Sequence, residues 1–178
     1  MNHDRFSSFL SQHDLPPSFV YLAPILPVVQ VMWADGRNQM PERAKLHCII
    51  ESHCTALSDL AGGVEIVSAN DIELFDRTFI ANRPDPRVLE MFVGLASEVV
   101  AHRELAFNQP DNQTNESLFR PEQLFHACME IAATCPACKD KSLGGLFALR
   151  VAKQERSLIE KTFELFQTNL QSISGIKQ

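Results

Sequence analysis

Apolar residues recur every three or four positions along most of the chain, and no run alternates with period two. That pattern predicts helices and no sheet. The least helical-looking stretch is LPPSFVYLAPILPVVQVMWA (15–34), twenty residues without a charge between Asp14 and Asp35. Its length meets the criterion for a membrane span. Pro16, Pro17, Pro24 and Pro27 lie inside it, however, and an interior proline costs a helix about 3 kcal/mol. No Lys or Arg flanks it before Arg37, so nothing sets an orientation across a bilayer. Residues 1–14 lack both a basic start and a small-residue cleavage motif, which argues against a signal peptide. The stretch therefore reads as two buried pieces. Pro16-Pro17 ends a short N-terminal helix. A core helix restarts near Pro24 or Pro27 and runs to Ala34, where Asp35-Gly36 turns the chain.

Downstream, an apolar stripe of Leu46, Ile49, Ile50, Cys54 and Leu57 predicts a helix over 41–57. Asn70 and Glu73 have capping-box spacing and predict a short helix through Phe79, broken by Pro84 and Pro86. Val88, Leu89, Phe92, Val93, Ala96, Val99 and Val100 share one face of a helix over 87–105. Residues 108–115 read as a polar loop. Pro121 suits the first turn of a helix carrying Leu124, Phe125, Cys128, Met129 and Ala132. A loop with Cys135, Cys138, Gly144 and Gly145 precedes a final helix over 152–170, with Ile159, Phe163, Phe166 and Leu170 inward. The expected fold is all-α, a single-domain irregular bundle of six to eight helices. Its divisions are an N-terminal helical extension (1–19), a main domain (20–172) and a short tail (173–178).

Composition sharpens this picture in three places. With 178 residues, the chain is long enough for one sizeable core. Twelve Phe against one Trp and one Tyr predict that phenylalanine and aliphatic side chains fill it. A net charge of -6 with no basic cluster argues against nucleic acid as a partner. Five cysteines, an odd number without framework spacing, suggest a reducing, cytoplasmic setting.

Two acids break the hydrophobic pattern. At 100° per residue, Glu42 falls one turn before Leu46, near the centre of its helix's apolar stripe. Glu155 stands in the same relation to Ile159. The surrounding residues agree: PERAKL (41–46) and QERSLI (154–159) share Glu-Arg-x-x-aliphatic, which suggests a degenerate two-fold internal repeat with one acid in each half. Two accounts are open. Glutamate in a first turn is favoured by the helix macrodipole and by capping, and need not be buried. Alternatively, Asp35, Glu42 and Glu155 are oxygen ligands of one pocket, and an all-oxygen set suits Ca²⁺ or Mg²⁺ better than Zn²⁺.

At these residues the chain resembles a family. VMWADGRNQMPERAKL (31–46) is similar to the signature of the TerB-like, tellurite-resistance-associated helical domains. Those have a hydrophobic helix, Ala-Asp-Gly, a Glu seven residues after the Asp and an aliphatic residue four later. Ala34, Asp35, Gly36, Glu42 and Leu46 match, while Asn38 stands where the family usually has an aliphatic residue. RPDPRVLEMFVGLASEVV (83–100) and LFALRVAKQERSLIEKTF (146–163) also look like family segments, so the likeness spans about 20–170. It implies an all-helical domain with an acidic pocket that binds a divalent metal, and a role in tellurite or metal stress. It also implies a protein partner, one at a membrane included, and neither an organic cofactor nor an established reaction.

Other residues offer chemistry with simpler readings beside it. Cys135-x-x-Cys138 lacks the βαβ context of a redox motif, and as half a zinc site it needs two more ligands. His47 and Glu51 are spaced for an i,i+4 contact on a solvated flank. His53 falls on the apolar stripe and reads as a core histidine. Glu122, His126 and Glu130 form a ladder on a solvated face, as do Glu98 and His102. The functional alternatives are a metal-dependent hydrolase using the same acids, which needs a general base within reach, and an interaction scaffold without metal.

Overall fold

The computed structural model describes residues 2–107, 120–134 and 153–175. Among them are seven α-helices and no strand: α1 (Asn2–Gln12), α2 (Ile25–Met32), α3 (Met40–Leu60), α4 (Ala69–Phe75), α5 (Pro86–Phe107), α6 (Pro121–Thr134) and α7 (Lys153–Gly175). A 3-10 turn (Pro17–Val20) joins α1 to α2, and a π turn (Asp76–Ile80) extends α4. The expected all-α bundle is what the chain forms.

The uncharged stretch is the centre of that bundle. In α2 every residue except Gln30 is buried. Pro27 falls in its first turn, where the missing N–H has no intrahelical partner to lose. Helices α3, α5, α6 and α7 all pack on α2. With eight residues, α2 is about 12 Å long, far short of a bilayer. No helix among the described residues is long and apolar enough to cross a membrane.

A phenylalanine cluster fills one side. Phe19 meets Phe75 at 5.4 Å between ring centroids, Phe75 meets Phe79 at 5.0 Å, and Phe79 meets Phe92 at 5.3 Å. Phe9 adds a fourth contact, to Phe92 at 4.7 Å. Through Phe6 and Leu10, both buried, α1 belongs to this same core. An ion pair from Arg5 to Glu98 (3.1 Å) fixes its outer face to α5.

Two boundaries differ from the sequence pattern. The N-cap of α4 is Ser68, whose hydroxyl accepts the Asp71 N–H at 3.2 Å, rather than Asn70. Ser68-x-x-Asp71 and Asn70-x-x-Glu73 carry nearly the same local signal, and burial of Phe75 and Phe79 selects the earlier start. The last helix continues to Gly175, past the expected tail boundary. The loop expected over 108–115 and the segment with Cys135, Cys138, Gly144 and Gly145 lie outside the described residues.

Candidate functional site

The turn after α2 is built by Gly36. Its φ of +77° lies in the left-handed region, where a side chain is disfavoured. A Cβ here would also come within 3.2 Å of the Arg83 guanidinium, which lies against the turn. Two side chains staple this turn to the end of the π turn. Trp33 Nε1–H donates to the Phe79 carbonyl at 2.8 Å, and Asn38 Nδ2 donates to the Ile80 carbonyl at 2.6 Å. Asn38, which departs from the aliphatic residue usual in the TerB-like signature, thus contributes a hydrogen bond at this position. Its Oδ1 is buried and has no partner among the described residues.

Within the turn, Asp35 Oδ1 accepts the Arg37 N–H at 2.8 Å, and Oδ2 faces Gln39 Nε2 at 3.5 Å. The Gln39 N–H donates to Glu42 Oε2 at 3.3 Å, closing a capping box at the start of α3. Gln39 therefore ties Asp35 and Glu42 into one local unit. Glu42 is 2% exposed, whereas Asp35 is half-buried.

Glu155 is also 2% exposed. It is the third residue of α7, as Glu42 is the third of α3. One turn further along α7, Leu158 lines a cleft with Gln30, Trp33 and Ala34 from the end of α2. Leu158 of α7 thus borders the end of α2, and Gln39 ties the start of α3 to the turn that carries Asp35. Both inward directions inferred from helical spacing agree with the observed burial. The capping account holds for Glu42 at the same time, because its carboxylate closes the box.

The remaining titratable groups take ordinary roles. His47 pairs with Asp76 through Nε2 at 2.7 Å, not with Glu51; Arg43 holds the other Asp76 oxygen at 2.8 Å. Asp76 is a residue of the π turn, so a contact across the fold displaces the local one. His53 is buried as expected, with Nε2 2.8 Å from the Tyr21 carbonyl oxygen. Glu122, His126 and Glu130 are exposed, and Glu130 pairs with Lys45 at 3.0 Å. Glu98 is engaged by Arg5, and His102 is exposed. Burial pushes the Cys54 thiol up to about 11 and the Cys128 thiol to about 12, while Cys48 is exposed. Raised in this way, neither thiol is set up as a free nucleophile. Among the described residues, no three His, Cys, Asp or Glu side chains are gathered tightly enough to hold a metal ion.

Sequence reasoning missed Gln39, Arg83 and Gln30. Gln39 had a usable signal, since it precedes Met40 at the N-cap with Glu42 three residues on. Arg83 and Gln30 had none, because their importance comes from the meeting of α2, α5 and α7. No family model, no curated protein and no solved structure matches the chain.

Proposed function

We propose that this chain is a non-enzymatic, TerB-like helical binding domain that takes up a divalent cation, Ca²⁺ or Mg²⁺, at Asp35, Glu42 and Glu155, which must draw closer on binding because they are not gathered as a ligand set in this structure. In this reading it serves a protein partner in tellurite or metal stress. The observation that carries the reading is the matched pair of acids. Glu42 and Glu155 occupy the same position in their helices and are each 2% exposed. Buried carboxylates are costly unless their charge is compensated; both acids have interactions within the chain, and a cation would add to them rather than be the sole compensation. The donor chemistry fits, since carboxylate oxygens are hard ligands. The buried, unpartnered Asn38 Oδ1, between Asp35 and Glu42 in sequence, offers one more oxygen of the right kind.

The hydrolase alternative needs a general base near these acids. The observed contacts of His47 and His53 are to Asp76 and the Tyr21 carbonyl, and neither contact places a base beside these acids. Elemental analysis of the purified protein, after exhaustive dialysis against a defined Ca²⁺ and Mg²⁺ buffer, tests the proposal. Near-stoichiometric Ca or Mg that drops out in the Asp35→Asn/Glu42→Gln variant is the expected result. No retained metal, or equal retention by the variant, leaves the scaffold reading.

A further inference from the structure

On the outer side of the same turn is a cleft of about 320 Å³, within the size range of small-ligand and side-chain pockets. Its apolar lining comes from Trp33, Ala34, Pro84, Pro86, Leu89 and Leu158. The Trp33 indole is fixed by its hydrogen bond to the Phe79 carbonyl, so a ligand resting on it need not order it. Two polar groups join this lining, the Gln30 amide and the Arg83 guanidinium. Neither side chain has a hydrogen bond or ion pair among the described residues, whereas Arg5, Arg43 and Arg156 each have a carboxylate partner.

Charge singles out the occupant. The nearby carboxylates Asp35 and Asp85 are turned to backbone N–H groups of Arg37 and Arg87, both at 2.8 Å. Arg83 is the one charged residue among the described residues lining the cleft, so the cleft presents a positive group to a ligand although the chain's net charge is -6. A guanidinium matches the planar fork of a carboxylate. We propose that this cleft docks a short acidic segment of a partner protein. One apolar side chain rests on Trp33 and Leu158, a Glu or Asp carboxylate meets Arg83, and the Gln30 amide bonds the segment's backbone. The inference goes beyond cation binding and does not need it, so each fails independently of the other.

Trp33 is the chain's single tryptophan, so its emission reports on the cleft directly. The full chain is titrated with a synthetic peptide of alternating Leu and Glu, with the same peptide carrying Gln for Glu, and with inorganic phosphate. A saturable emission change with the Glu peptide alone is expected. Arg83→Ala weakens it at least about tenfold, as loss of a charged hydrogen bond should. Arg83→Glu abolishes it, and Arg83→Lys keeps part of it. Arg83 is exposed, so the helical circular dichroism of these variants is unchanged. The proposal is overturned if no peptide gives a saturable change, or if the Gln peptide or phosphate alone matches the Glu peptide. Native-like binding by Arg83→Glu overturns it equally.

Discussion

The first turns of α3 and α7 differ from that of α6 in one respect. All three begin with an acid within their first three residues: Glu42, Glu155 and Glu122. Glu122 is exposed, while the other two are 2% exposed. The macrodipole and the free N–H groups of a helix start account for an acid at each place. They do not account for burial, because a surface carboxylate serves the dipole just as α6 shows. What separates the two kinds of turn is their neighbourhood. All three helices pack on the apolar α2, so the difference is local: Glu42 and Glu155 are turned into the packed side of their helices, whereas Glu122 lies on the outer side of α6 with the exposed His126. Helix-end chemistry thus explains where an acid sits in sequence, and tertiary packing decides whether it is available for a shared site.

The largest effect that sharpens this contrast is truncation. Glu42→Ala and Glu155→Ala should each lower stability by about 2 kcal/mol in chemical denaturation, through lost hydrogen bonds and an imperfectly filled space. Glu122→Ala should stay within about 0.5 kcal/mol, as surface substitutions do. Equal losses at all three would erase the distinction. Next comes Gly36→Ala, which should cost about 1–2 kcal/mol, since its φ of +77° is retained only with strain. A neutral result there would mean that the turn joining α2 to α3 is not held in its observed form.

The smallest effect concerns an exposed acid outside any site. Lys161, hydrogen-bonded and close in charge, holds the Glu90 carboxyl below its usual range. Its contribution is present above the unfolded value and is lost as pH falls through the folded one. Because both side chains are mostly exposed, Glu90→Gln should cost no more than about 0.5 kcal/mol near pH 7. That difference should shrink toward zero in melts below about pH 4. A pH-independent difference would assign the effect to something other than charge.

Much of this architecture was legible before any coordinates. The prolines of the uncharged stretch argued against a span, and Pro24 and Pro27 fit the start of a buried α2. Seven residues on one face predicted α5, and all but the half-buried Val88 lie in the core. The inward direction of Glu42 and Glu155 followed from 100° per residue alone. What escaped was non-local. His47 had Glu51 one turn away in sequence, yet Asp76, 29 residues distant, holds it. The π turn that carries Asp76 left no periodic trace, since it displaces the helix by a single residue. The cleft at Arg83 is made by three helices, none of which encodes it separately.

The claim that most of this account rests on is that the buried acids answer to a cation. Thermal melts of the native chain and of Asp35→Asn/Glu42→Gln, with and without millimolar Ca²⁺ or Mg²⁺, test it most directly. Gln at position 42 can still close the capping box, so the variant removes charge while keeping the helix start. At a hundredfold excess over the dissociation constant, binding adds about 2.7 kcal/mol, or roughly 5–10 °C in Tm, for the native chain. The variant should show no rise. An unmoved native Tm, or the same rise in both proteins, would contradict the claim and leave Glu42 and Glu155 as buried helix-start acids.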